Sequence, residues 1–179
     1  MKKTILIAYL LCMTLLGFSQ EKKSTKTGEI TFEASVPSFE EVKATNKGVS
    51  CILNTQTGEI ASLALVKGFR FKVALMEEHF NENYIESSKY PKAIFKGKIE
   101  NFDVSKLTEK EQKFTINGTL ELHGKTKNIV SIALIKKSGN TIIIDNTFTV
   151  KPEDFDIKIP SVVSQKVAKT VDISCHFSL

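Results

Sequence analysis

The stretch Phe69–Phe102, FRFKVALMEEHFNENYIESSKYPKAIFKGKIENF, decides the fold, because the period of its apolar residues changes twice. Phe69, Phe71 and Val73 alternate with Arg70 and Lys72, the pattern of a strand with one face buried. Leu75, Met76, His79, Phe80 and Tyr84 then fall along one side of a short helix. Tyr90-Pro91 ends that excursion, since the residue before a proline is pushed out of the helical region. Alternation resumes in Phe95, Gly97 and Ile99. One helical insertion in an otherwise alternating chain reads as a lid or plug beside a sheet.

Upstream, Ile30, Phe32, Ala34 and Val36 make a first alternating strand, stopped at Pro37. Ser38 and Glu41 have the spacing of a capping box, which predicts one helical turn. Val49–Leu53 is a second strand, and Asn54–Gly58 carries turn residues that close a hairpin. Ala61, Leu63, Leu65, Phe69, Phe71 and Val73 share one parity, with a bulge expected at Gly68. Downstream, Asp103–Gln112 reads as a loop, and Phe114–Leu122 alternates cleanly before the turn His123-Gly124. Ile129–Ile135 is apolar on both parities apart from Ser131, as a strand covered on both sides would be. Ile142–Val150 and Val171–Leu179 supply the last strands, separated by a turn at Pro152–Phe155 and a short extended piece.

The expected fold is therefore all-β: an eight-stranded antiparallel β-barrel, lipocalin-like in outline, with one short helical insertion. Its chain divides into a signal peptide over 1–19, a flexible N-terminal arm over 20–28 and the barrel over 29–179. The signal peptide rests on basic Lys2-Lys3, the apolar run Ile5–Leu16 and the small and polar residues Gly17–Gln20. Leu10-Leu11 before Cys12 is too bulky for a lipoprotein cleavage site. Losing this segment lowers the formal charge from +5 to +3, and the remaining lysines are spread along strands rather than clustered, which excludes nucleic acid as a partner. Cys51 and Cys175 both sit on apolar parities, which favours buried free thiols, with a disulfide as the alternative.

The faces expected to point inward carry Phe32, Leu53, Leu63, Phe71, Phe95, Ile99, Phe114, Ile116, Leu120, Leu122, Ile144, Phe148, Val171 and Ile173. No acid, base or nucleophile is among them. Gly97 and Gly118 share these faces and subtract side chains from the interior, as an elongated apolar cavity would need. The same residues would equally serve as a filled core.

The polar candidates assemble no catalytic or metal site. His79, His123 and His176 lack ligand spacing with one another or with a cysteine pair. Glu77-Glu78-His79 would point in different directions on a helix, and Cys175-His176 to opposite faces of a strand. His123 reads as a turn residue bonded to local backbone. No phosphate-binding glycine loop or nucleophile elbow is present. No catalytic residue, metal or cofactor is expected.

Three motifs resemble the YceI-like periplasmic lipid- or polyisoprenoid-binding family. They are Tyr90-Pro91-Lys92-Ala93-Ile94-Phe95, then Gly118-Thr119-Leu120-Glu121-Leu122-His123-Gly124-Lys125-Thr126-Lys127, then Phe148-Thr149-Val150 through Asp154-Phe155-Asp156-Ile157. The resemblance runs from about Gly28 to Leu179. It implies a barrel whose lumen holds a long isoprenoid or acyl chain, with helix and loop residues near one end and no catalysis. The chain departs from the family twice: Glu77–Tyr84 replaces a segment that usually carries an Arg-Asp pair, and Asp156 replaces a glycine.

The reading is an exported, periplasmic binding protein for a polyisoprenoid, isoprenoid quinone or fatty acid, serving transport, storage or sequestration. It is not an integral membrane protein, and monomer and homodimer are both open. The ligand-binding set is Phe32, Leu53, Leu63, Phe71, Met76, Phe80, Tyr84, Phe95, Ile99, Leu120, Leu122, Ile144, Phe148 and Ile173. The alternatives are a structural or stress-related barrel with a filled core and a small outer-membrane barrel.

Overall fold

Nine strands and one helix carry the chain in the computed structural model, which describes residues 22–179. They are β1 (Lys22–Glu33), β2 (Lys43–Asn54), β3 (Glu59–Leu65), β4 (Arg70–Phe71), α1 (Ala74–His79), β5 (Lys92–Ile99), β6 (Gln112–Leu122), β7 (Lys125–Ser138), β8 (Thr141–Val150) and β9 (Val171–Ser178). The order β1-β9-β8-β7-β6-β5-β3-β2 returns to β1 through a β1–β2 pairing. Eight antiparallel strands thus close a barrel and leave no open edge between them. The two residues of β4 continue the edge of β3 along β2, pairing Ala44 with Phe71 and Thr45 with Arg70. The signal peptide falls on residues 1–19, which lie outside the described ones.

The expected flexible arm is a correction. From Lys22 onward the chain is strand, with Lys22 opposite Asn54 and Thr25 opposite Cys51. Its side chains are polar and gain little by burial, but barrel closure engages the backbone, which apolar patterning does not report. Irregular register around Gly28 then bends β1 before it joins β9 from Glu29 to Glu33. A second correction concerns Ser38–Glu41, which forms no helix: Ser38 has φ of 74° in a turn. A third concerns β7, whose outer face is bare, with Val130 69% exposed beside exposed Ile132 and Leu134.

The parity of β3 is the largest correction. Ile60 and Ala64 are buried while Leu65 is 54% exposed, so Ala61, Leu63 and Leu65 point outward. The bulge expected at Gly68 is a full 3-10 turn, Val66–Gly68. That turn shifts the inward row from even positions to Phe69 and Phe71, so a single alternation cannot run through it.

The two ends of the barrel differ. The Asn54–Glu59 hairpin, the loop between β5 and β6 and the β7–β8 turn share one end. There Val49, Leu53, Ile99, Ile116, Ile135 and Ile142 are almost wholly buried and fill the interior. The other end collects the β1–β2 connection, the 66–91 insertion, the β6–β7 turn and the long β8–β9 connection.

Candidate functional site

At that second end the interior is not filled. A cavity of about 460 Å³ opens among inward residues of the strands and is roofed by the connections. Phe32, Phe71, Phe95, Leu120, Leu122, Ile144, Phe148 and Ile173 line it from the strands, and Met76, Phe80 and Tyr84 from the insertion. Eleven of the expected binding residues are thereby brought together. Leu53 and Ile99 are inward but belong to the filled end, at 0% and 1% exposure. Leu63 is outward and touches nothing of the cavity, as its parity requires.

The insertion is set by a few polar contacts. Glu77 on α1 accepts from Arg70 Nη1 at 2.7 Å and from the Phe71 amide at 3.1 Å, which fixes the helix to β4. Asn81 Nδ2 donates to the Glu77 carbonyl at 2.8 Å, steadying the π-helical turn Phe80–Tyr84 that follows. Phe80 is thereby laid over the barrel mouth. Its ring centroid is 5.2 Å from those of Phe32 and Phe71 and 6.2 Å from that of Phe69. These tilted and edge-on geometries are the favoured ones for aromatic pairs. Glu77 is accordingly a structural carboxylate, and Glu77-Glu78-His79 forms no joint site.

Gly97 and Gly118 work differently from the expectation. They oppose each other across β5 and β6, and a Cβ on Gly118 would lie 2.6 Å from Phe95 Cζ. The space they leave is occupied by the Phe95 ring, which lies flat on the sheet and forms cavity wall. Phe95 in turn stacks with Phe148, centroids 6.4 Å apart.

The acidic and basic side chains of the wall, Glu40, His79 and Lys166, are all exposed and come from three different connections at the mouth. Deeper in, the polar lining is Ser62, Asn146 and Cys175. Cys51 and Cys175 are both free and buried. Desolvation, with the neighbouring Cys175 as a second cause for Cys51, pushes both thiols up to about 12, so they are protonated at neutral pH. No group of three or more metal-ligating side chains occurs among the described residues.

The resembling motifs converge at one corner of the rim. His123 is 9% exposed and holds φ of 50° in the β6–β7 turn. Its Nδ1 donates to the Phe155 carbonyl at 2.8 Å, and its Nε2 lies 2.9 Å from Glu86 Oε2. Tyr90 covers the ring, and Lys125 pairs with Asp156 at 2.8 Å. That contact raises the Lys125 pKa and lowers that of Asp156, each through the shared hydrogen bond. His123 therefore joins three connections rather than local backbone alone.

Ile60, Ala64 and Val66 also line the cavity, on the parity opposite to the one expected to face inward. Asn146 lines the cavity too, and the sequence carries a signal for it: it is the one polar residue on the inward parity of β8, between Ile144 and Phe148.

A closed antiparallel barrel with a filled floor, an apolar cavity and a helical roof defines the class of small β-barrels built around a ligand-sized lumen. The chain belongs to the YceI-like family: the YceI-like domain matches residues 18–179. No curated protein matches it. Among solved structures it is similar to a polyisoprenoid binding domain from Saccharophagus degradans implicated in plant cell wall breakdown, with TM-score 0.76 and 15% identity over 89% of this chain and 98% of that one. It is also similar to BcnA of Burkholderia cenocepacia, with TM-score 0.71 and 17% identity over 85% and 96% of the two chains. The Campylobacter jejuni YCEI protein gives TM-score 0.60 and 18% identity over 80% and 88%.

Proposed function

We propose that this protein is an exported carrier that holds one long apolar ligand, of isoprenoid, isoprenoid-quinone or fatty-acyl type, in the barrel lumen. The observation that carries the reading is the cavity itself: about 460 Å³, walled almost entirely by aliphatic and aromatic side chains, with its charges confined to the mouth. Cavities of this size suit small-molecule ligands. Burial of each methylene contributes roughly 0.8 kcal/mol, so affinity for a long chain needs few polar contacts. The solved relative described as polyisoprenoid binding supports the same class of ligand. The leader-like residues 1–19 support export to the periplasm, and transport, storage and sequestration are the roles such a lumen serves.

The polarity of the wall argues against a membrane barrel. Outer positions carry Lys96, Lys98, Lys113 and Glu121 while the lumen is apolar, the inverse of a lipid-facing barrel. No helix among the described residues is long and apolar enough to cross a membrane. Mass spectrometry of organic extracts from protein purified without detergent tests the proposal. A stoichiometric isoprenoid or acyl lipid is expected. An empty lumen that also fails to bind added quinones and fatty acids would overturn it in favour of a barrel without a ligand.

A further inference from the structure

β8 presents Ile142, Ile144, Asn146, Phe148 and Val150 to the interior, and Asn146 interrupts this row with an amide. Asn146 is 6% exposed and lines the cavity, yet its Oδ1 has neither solvent nor a hydrogen-bond partner. A buried amide oxygen without a donor costs stability, and native proteins rarely leave one so.

It does not stand alone. Cys175 on β9 is its register partner on one side and Ala133 on β7 on the other. Cys175 also lines the cavity, as a protonated thiol able to donate or accept weakly. Two residues before Ala133, Ser131 faces inward at 3% exposure, behind the cavity wall rather than in it, and its Oγ is likewise buried without a partner. Residues diagonal across neighbouring strands lie about 7–8 Å apart, close enough for one small group to serve both. Three adjacent strands thus bring an amide, a hydroxyl and a thiol together in a mostly apolar interior, two of them unsatisfied.

We propose that Asn146, Ser131 and Cys175 form a polar subsite deep in the lumen that receives a hydroxyl or carbonyl oxygen of the ligand. This rests on the lumen being the ligand site. The bound molecule is then an amphiphile whose oxygen function is carried inside the barrel, rather than a plain hydrocarbon tail with its head left at the mouth. A hydroxyl suits the site best, because it donates to Asn146 Oδ1 and accepts from Ser131 or Cys175. Reorienting the amide would exchange its oxygen and nitrogen and let the same site serve a carbonyl.

Farnesol and farnesene, matched isoprenoid chains with and without a terminal hydroxyl, provide the test, each displacing a fluorescent fatty acid from delipidated protein. The wild type should bind farnesol at least tenfold more tightly. Asn146→Leu should remove that preference through weaker farnesol binding. The same substitution should raise the melting temperature of ligand-free protein, whereas an amide kept for structure would lower it. Ser131→Ala provides a milder second variant that should narrow the preference without endangering the fold. Equal binding of the two chains by wild type, or an undiminished preference in both variants, would overturn the subsite alone. Failure of wild type to bind either chain or the fatty acid would overturn the lumen reading and the subsite with it.

Discussion

The ring of Tyr90 lies over that of His123, centroids 4.4 Å apart, and so locks the end of the helical insertion to the β6–β7 turn. The imidazole is held from both edges, by Phe155 and Glu86. His123→Ala would leave the Phe155 carbonyl without its donor in a residue only 1% exposed. Such a loss costs about 2 kcal/mol, read as a lower urea midpoint with unchanged slope. Gly124 beside it has φ of 73°, and a Cβ there would meet Tyr90 Cε1 at 2.7 Å. Gly124→Ala should therefore destabilise as well, and the double variant should cost less than the two separately, because both loosen one contact.

Phe95 has its place because Gly118 has no side chain. An added Cβ would stand 2.5 Å from the Lys96 carbonyl and 2.6 Å from the ring. Relieving both contacts requires the β5–β6 backbones to separate locally and the ring to leave the sheet and enter the cavity. Gly118→Ala is expected to destabilise by about 1–3 kcal/mol and to weaken binding of a fluorescent fatty acid. Thermal unfolding and titration on the same sample check both effects.

Neighbouring residues on β3 should answer opposite questions. Leu63 points outward, so Leu63→Ser should leave ligand affinity unchanged and alter stability by less than about 1 kcal/mol. Ala64 is 2% exposed and forms cavity wall. Ala64→Phe should occupy lumen volume and reduce fatty-acid affinity by tenfold or more in equilibrium titration.

That pair also shows where the sequence speaks and where it is silent. The barrel was legible because most of its strands alternate, and because the helical period between Leu75 and Tyr84 stands out from them. β3 was not, since Ile60-Ala61-Ser62-Leu63-Ala64-Leu65 carries aliphatic residues on both parities and only the three-dimensional register chooses between them. The 3-10 turn at Val66–Gly68 then shifts the alternation, which a period of two extrapolates wrongly. Lys22–Thr27 was hidden for another reason: its contribution is backbone pairing, and polar side chains are neutral to it. Leu53 and Ile99 are inward but buried in the filled end, because periodicity gives the face of a strand and not the depth along the lumen at which packing ends. Asp156, by contrast, explains the glycine usual at its position, for it adopts φ of 57°, a conformation that Asp tolerates better than most residues.

The two thiols contribute to the loss of stability at alkaline pH. Both pKa values rise from 9.0 to about 12 on folding, through burial. Below 9 folded and unfolded chains hold the same protons, so the thiols contribute no pH dependence. Between 9.0 and about 12 the unfolded chain loses protons that the folded one keeps, and stability falls as pH rises. The slope is about 1.4 kcal/mol per pH unit for each thiol. Urea midpoints across that range should fall more steeply for wild type than for Cys51→Ala/Cys175→Ala, the difference isolating the thiols from lysines and tyrosines. Native protein should also resist alkylation at mild pH until denaturant is added.

Phe80 decides whether the insertion is a gate or only a wall. Its contacts with Phe32, Phe69 and Phe71 bind the roof to three points of the rim. Each such pair is worth about 0.5–1.5 kcal/mol beyond buried area, so their joint loss favours an open mouth by about 2 kcal/mol. A gate impedes entry and exit alike. Phe80→Ala should then raise both rates of fatty-acid exchange by tenfold or more in stopped-flow fluorescence, leaving the equilibrium constant within a few-fold. A wall residue behaves otherwise: its loss removes ligand contacts and speeds release without speeding entry. Faster release at an unchanged association rate would thus reduce the insertion to part of the lumen lining. Faster exchange in both directions would place the control of ligand access in the one segment that departs from the strand pattern.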